Sequence, residues 1–277
     1  MKYGLLAVAA AWILSGCTVQ VSGSFTDDCK FQEEHTATIP VGAVKNLSVI
    51  ADSGSLRVEG RPGLTEVRVQ GTACASSENL LSQVDLRTEN AGDVVRVQAI
   101  VPSVTFGNSP RLDLIIEVPD TMLASIQDES GDIQVQRVAG VVVKDDSGSI
   151  DLIEITGPIR ITDDSGDIEI RDASGKVVIE EDQSGNIRID GVKGDVQIDR
   201  DDSGDIDITE VTGSVTIDED NSGNIQILDI TGNVLISEDD SGSIDVNRVQ
   251  GDFTVRRDGS GNIHYSNVGG QTTVPRK

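Results

Sequence analysis

Aromatic residues are nearly missing from this chain: they make up 3% of 277 residues, with a single tryptophan, Trp12. That tryptophan falls in a leader segment, so the rest of the chain has none to stack on a sugar ring, which argues against a carbohydrate-active β-helix enzyme. There are two histidines, His35 and His264, far apart in sequence, and each reads as incidental. No Gly-x-Ser-x-Gly nucleophile elbow and no Cys-x-x-Cys pair occurs. Positive charge is scarce, with 22 Lys and Arg against 47 Asp and Glu and a net charge of −25. A nucleic-acid partner needs a basic face to neutralise phosphates and is excluded. The chain is read as not an enzyme, with no catalytic residues.

What it does have is repetition. Ser-Gly recurs at Ser130, Ser147, Ser165, Ser184, Ser203, Ser222, Ser241 and Ser260, spaced by 17, then 18, then 19 residues. A second glycine follows each serine by ten residues, from Gly140 to Gly270. A fixed period near 20 residues marks a solenoid, in which each repeat is one unit stacked on the next. Three residues after every serine stands an isoleucine, from Ile133 to Ile263. Aliphatics also recur five and eight residues after the serine, and two after the second glycine (Val142, Ile159, Val177 and onward). Polar residues fill the positions between, so each strand has one apolar and one polar face. Stacking turns the columns into aliphatic ladders, each buried side chain contributing about 1.5–3 kcal/mol. Eight coils at strand spacing make a rod roughly 38 Å long. The predicted fold is all-β: a parallel β-solenoid (β-helix) of about 19-residue coils over 128–277.

An irregular N-terminal β-region and cap is expected over 35–127. Within it, Asp52-Ser53-Gly54-Ser55-Leu56, with Gly63 ten residues after Ser53, matches the later unit and predicts an early coil. Ser77–Leu81 predicts a short helical turn, Val84–Ile100 a strand pair, and Leu112–Val118 a further strand. Residues 1–16 read as a lipoprotein signal peptide: Lys2, an apolar stretch from Leu5 to Leu14, then Leu14-Ser15-Gly16-Cys17, which resembles a bacterial lipobox. Cys17 is then the lipidated first residue of the mature chain, and 17–34 a polar tether; the alternative is an ordinary signal peptide with a chance cysteine. Thr18 rather than aspartate after the cysteine points to the outer membrane of the cell envelope, with a Gram-positive surface as the alternative. Cys29 and Cys74 remain, and in an exported chain they suggest a disulfide contributing ~3–4 kcal/mol. Two buried thiols or a metal pair are the other readings.

Leu112-Asp113-Leu114-Ile115-Ile116-Glu117-Val118-Pro119, followed by Ser130-Gly131-Asp132-Ile133 and its repeats, resembles a bacterial "putative adhesin" family of β-strand-repeat proteins built on a domain of unknown function. The resemblance covers roughly residues 45–274. It implies a β-solenoid at the envelope and brings no established activity.

The most regular polar column lies two residues before each serine: Asp128, Asp145, Asp163, Asp182, Asp201, Asp220, Asp239 and Asp258. Two more columns, beginning at Glu129 and Asp132, are mostly acidic, amide or serine. At coil spacing, like charges repel by nearly ~1 kcal/mol in water and by more near a protein surface. One explanation is turn chemistry, with aspartate accepting from backbone N–H groups one or two residues on and the serine hydroxyls forming an inward ladder. The other is calcium shared between turns by Asp145, Asp163, Asp182, Asp201, Asp220 and Asp239. No other cofactor is expected. The functional expectation is a non-catalytic envelope lipoprotein, a rigid acidic rod serving as adhesin, scaffold or partner-binding surface. Its partners are the membrane, through the anchor, and a protein or surface polymer. A calcium-binding or calcium-stabilised module is the alternative.

Overall fold

The computed structural model describes residues 29–103 and 110–276. The leader, Cys17 and most of the tether lie outside the described residues. β1 (Phe31–Pro40) begins a few residues before the expected start and pairs antiparallel with β4 (Glu66–Ala75). Between them lie β2 (Asn46–Ile50) and β3 (Leu56–Arg61). A one-turn helix, α1 (Glu78–Leu81), capped by the Ser77 side chain, leads into the hairpin of β5 (Asp85–Ala91) and β6 (Val94–Ile100). β7 (Arg111–Pro119), β8 (Leu123–Asp128), β9 (Ile133–Gln136) and β10 (Gly140–Asp145) carry the chain into the regular stack.

Register shows how the early part joins the stack. β2 pairs in parallel with β8, Leu47 opposite Ala124, and β3 with β9, Leu56 opposite Ile133. Ser53 bridges to Ser130. Residues Asn46–Arg61 are therefore a full coil beneath the first regular one, as the Ser53-Gly54 motif predicted. On its other side lie β6 and β7, forming one more coil level. Antiparallel β4 on β7, β1 on β4 and β5 on β6 then close that end. Antiparallel strands covering the first coils protect a sheet edge that would otherwise be sticky. Cys29 is bonded to Cys74 at this cap, with Cα atoms 5.3 Å apart. Gly63, the expected counterpart of the second glycine, sits in an open turn. Gly60, seven residues after Ser53 and so in the column of Arg137, packs closely instead: a side chain there would run into the Arg137 carbonyl.

From β8 onward the coils pair only in parallel, residue on equivalent residue. Ile133, Ile150, Ile168, Ile187, Ile206, Ile225 and Ile244 form one ladder, each at most 1% exposed. The coil-shortening lies in two places. Val141, not Val142, pairs with Ile159, while Thr156 N–H donates to the Val138 carbonyl. The first coil is thus one residue shorter at its second corner, and Val142 points outward, 46% exposed. After the second coil the extra residue forms a bulge between Ile161 and Thr162 on one side and their partners on the other. That is the limb where the sequence placed the change in coil length. At the far end, Tyr265 lies over Phe253, ring centroids 5.8 Å apart; Phe253 is fully buried.

Candidate functional site

Alternation explains where the aspartates go. In the first coils Asp128, Asp145 and Asp163 each stand two residues after a buried aliphatic (Ile126, Val143, Ile161), so their side chains share its inward face. In the 19-residue coils Asp182, Asp201, Asp220 and Asp239 stand three residues after one. The bulge absorbs the extra residue and keeps them inward. All seven are 0–1% exposed, and among the described residues they are the only buried polar or charged ones. Parallel register places Asp128 beside Asp145, then Asp163, Asp182, Asp201, Asp220, Asp239 and Asp258. Successive strands are ~4.8 Å apart, so the carboxyls form one file. In the coil beneath Asp128 the equivalent residue is Ala51, which ends the file there.

The turn chemistry is present in part. The N–H of Glu129 donates to Asp128 Oδ1 at 3.0 Å, that of Ser165 to Asp163 Oδ1 at 3.3 Å, and that of Ser184 to Asp182 Oδ1 at 3.2 Å. The second oxygen of each of these has no partner, and neither oxygen of Asp145, Asp201, Asp220 or Asp239 has one. Burial pushes these carboxyls up from 3.8, Asp201 to about 8, with the charges of Asp182 and Asp220 adding to it. Asp128, Asp163 and Asp220 rise to about 7, and Asp145, Asp182 and Asp239 to about 6, burial again the largest cause. Nearby turn N–H groups pull the other way and are outweighed.

The serine ladder differs from expectation. The hydroxyls do not meet one another inside the rod. Ser147 Oγ donates to the Glu129 carbonyl at 3.1 Å, Ser203 to Gln183 at 3.1 Å and Ser222 to Asp202 at 3.1 Å, each tying a turn to the coil before it. The inward polar ladder is aspartate instead. Many members of the two outer acidic columns are hydrogen-bonded to the next coil. Asp167 Oδ1 accepts from Asn186 N–H at 2.9 Å, and Asn186 Oδ1 from Asp205 N–H at 3.1 Å. Asn221 Nδ2 donates to Asp202 Oδ1 at 2.7 Å. In the column beginning at Asp132 no two acids are adjacent, and from Asp164 on the other outer column also alternates acid with amide up to Asp240, which lessens the repulsion there; the inner column has no such relief.

The expected calcium ligands are thus brought together, but inside the rod rather than at an open turn. Among the described residues no group of three or more His, Cys, Asp or Glu side chains is arranged to hold a metal ion. One column escaped the sequence reading. Arg137, Glu154, Asp172, Glu210, Asp229, Arg248 and Asn267, seven residues after each serine, have φ of 54–60°, and Gly191 takes the same place. This left-handed corner is legible only in retrospect, through Gly191 and Asn267. Along it runs an open groove of about 810 Å³ with Val211, Ile230 and Val249 at its floor and Glu210, Asp229 and Arg248 at its rim. Arg248 is paired with Asp229. His35 lies on β1 in the cap and His264 on the last coil, at opposite ends of the stack.

The family model described as Toastrack DUF4097 matches residues 82–270. No curated protein matches the sequence. Among solved structures, a "putative adhesin" of Bacteroides fragilis is similar over 87% of this chain and 97% of its own, at 12% identity and a TM-score of 0.42. A "putative cell adhesion protein" of Clostridium sporogenes is similar over 88% of this chain and 100% of its own, at 10% identity and a TM-score of 0.28. A "putative lipid binding protein" of Parabacteroides distasonis covers 88% and 97%, at 14% identity and a TM-score of 0.30.

Proposed function

The chain belongs to the Toastrack DUF4097 family, and from that premise we propose that it is a non-catalytic envelope lipoprotein. It is held by lipid on Cys17, at the outer membrane, and presents the sides of a rigid acidic rod to a protein or surface polymer. The observation that carries this reading is the division of labour within each coil. Inward positions are given to a closed aliphatic core and one carboxyl file, and outward positions to repeated polar columns such as Asp132, Asp167, Asn186 and Asp205. A surface repeating at strand spacing suits many weak, equivalent contacts, which add through effective concentration. A rod of this kind acts by display. The pairing of Asp167, Asn186, Asp205 and Asn224 with the backbone of the next coil holds that column in fixed register, so little ordering entropy is lost on contact.

Two measurements test it together. Cys17→Ala is expected to lose metabolic labelling by an alkyne fatty acid and to leave the membrane fraction. A photo-crosslinker placed at Asp205 or Asn224 in living cells is expected to capture a defined adduct. Retained membrane attachment in Cys17→Ala contradicts the anchor. A clean deletion with unchanged surface binding and envelope integrity, and no adduct from either position, contradicts the display role.

A further inference from the structure

Seven buried carboxyls stand in register, and eleven of their fourteen oxygens lack a well-formed hydrogen bond to the protein. Such groups are not left so if any arrangement satisfies them. Full ionisation would put unit charges ~4.8 Å apart in a buried, low-dielectric setting. Among the described residues no ion pair reaches these seven carboxyls. The charges acting on the file are Asp52 on Asp128, Asp132 and Asp146 on Asp145, and Asp167 and Asp202 on Asp182. Asp202 also acts on Asp201, Asp205 and Asp240 on Asp220, and Asp240 and Asp258 on Asp239. All are acidic. The rest of the interior is aliphatic, with the Ile133-to-Ile244 ladder among its walls. A carboxyl with a proton donates one hydrogen bond, and a carboxylate accepts; with the two alternating along a column, each proton bridges one neighbouring pair.

We propose that Asp128, Asp145, Asp163, Asp182, Asp201, Asp220 and Asp239 form a proton-sharing ladder, in which a protonated aspartate donates its O–H to the carboxylate of the next coil. The bond is charge-assisted and short, stronger than a neutral one. The protons belong to the file rather than to single residues, as in a carboxylate dyad extended along a line. The ladder accounts for an unbroken aspartate column where the outer columns tolerate Ser, Asn and Gln. Only a group that is both donor and acceptor, and the same in every coil, continues it. The proton takes the place assigned from sequence to calcium: it needs neither a dehydrated path inward nor a cluster of ligands.

Infrared spectra of the mature chain with carboxyl-labelled aspartate, recorded at pH ~7, test this. The expected result is a protonated-carboxyl C=O band equivalent to roughly three or four aspartates per molecule, indifferent to chelator and to excess calcium. Asp201→Asn, whose amide both donates and accepts, is expected to fold and to shrink that band. A spectrum with every aspartate ionised at that pH overturns the proposal, as does a band that Asp201→Asn leaves unchanged. A band present after chelation and abolished by calcium overturns it in favour of a cation file. The wild-type spectrum decides even if the variant misfolds.

Discussion

Two positive-φ positions in one coil respond differently to substitution, because different forces hold them. Gly204 has φ of 137°, and a Cβ there would fall inside the Gly185 carbonyl of the coil beneath. Gly204→Ala therefore combines a forbidden backbone conformation with a clash against unyielding backbone, and is expected to cost about 3 kcal/mol or more. Glu210, seven residues after the same serine, has φ of 55°. A left-handed non-glycine residue carries about 1–2 kcal/mol of strain. Glu210→Gly relieves it but adds unfolded-state entropy, so its stability is expected to stay within about 1 kcal/mol of the parent. Urea unfolding midpoints of the two variants check both expectations.

At the scale of the element, the unit is the coil with its two neighbours. Ile206 is fully buried and paired with Ile187 and Ile225. Ile206→Ala is expected to cost about 2–5 kcal/mol, and hydrogen exchange should show the loss greatest in the coils from Ile187 to Ile230. Reducing the Cys29–Cys74 bond acts elsewhere. It loosens β1 on β4 and raises exchange in the cap, while the last coils keep their protection, because each coil contacts only its neighbours. Most of this architecture was legible in sequence, since the isoleucine, serine and glycine columns recur at fixed offsets. Counting from the nearest glycine, however, cannot tell which corner lost a residue, and Val142 fell on the wrong face for that reason. The direction of the aspartates was also written in the chain, in Ile126-x-Asp128, Val143-x-Asp145 and Ile161-x-Asp163. Alternation, the stronger constraint in a stacked strand, put them inward despite their charge. In later coils the bulge hides that parity, because Ile198 and Asp201 are three apart.

For the whole molecule, the two ends differ and the middle is uniform. One end is closed by antiparallel strands and a disulfide, the other by Tyr265 over Phe253. Between them a single file of carboxyls runs through the regular coils, and it makes global stability depend on pH in an unusual direction. The file's carboxyls are raised in the folded chain to about 6–8, from 3.8. The native state then binds more protons than the unfolded chain between those values, so unfolding free energy falls as pH rises. Their contribution is complete below the unfolded value and is lost as pH passes through 6–8. Paired surface carboxylates give the opposite slope, confined to lower pH. The most direct test of the buried file is urea unfolding of the mature chain at a series of pH values from about 5 to about 8.5, beside Asp201→Asn. Stability is expected to decline steadily across that range, and less steeply in the variant. A stability that is flat or rises with pH there would place the aspartates in contact with water and contradict a sealed carboxyl core.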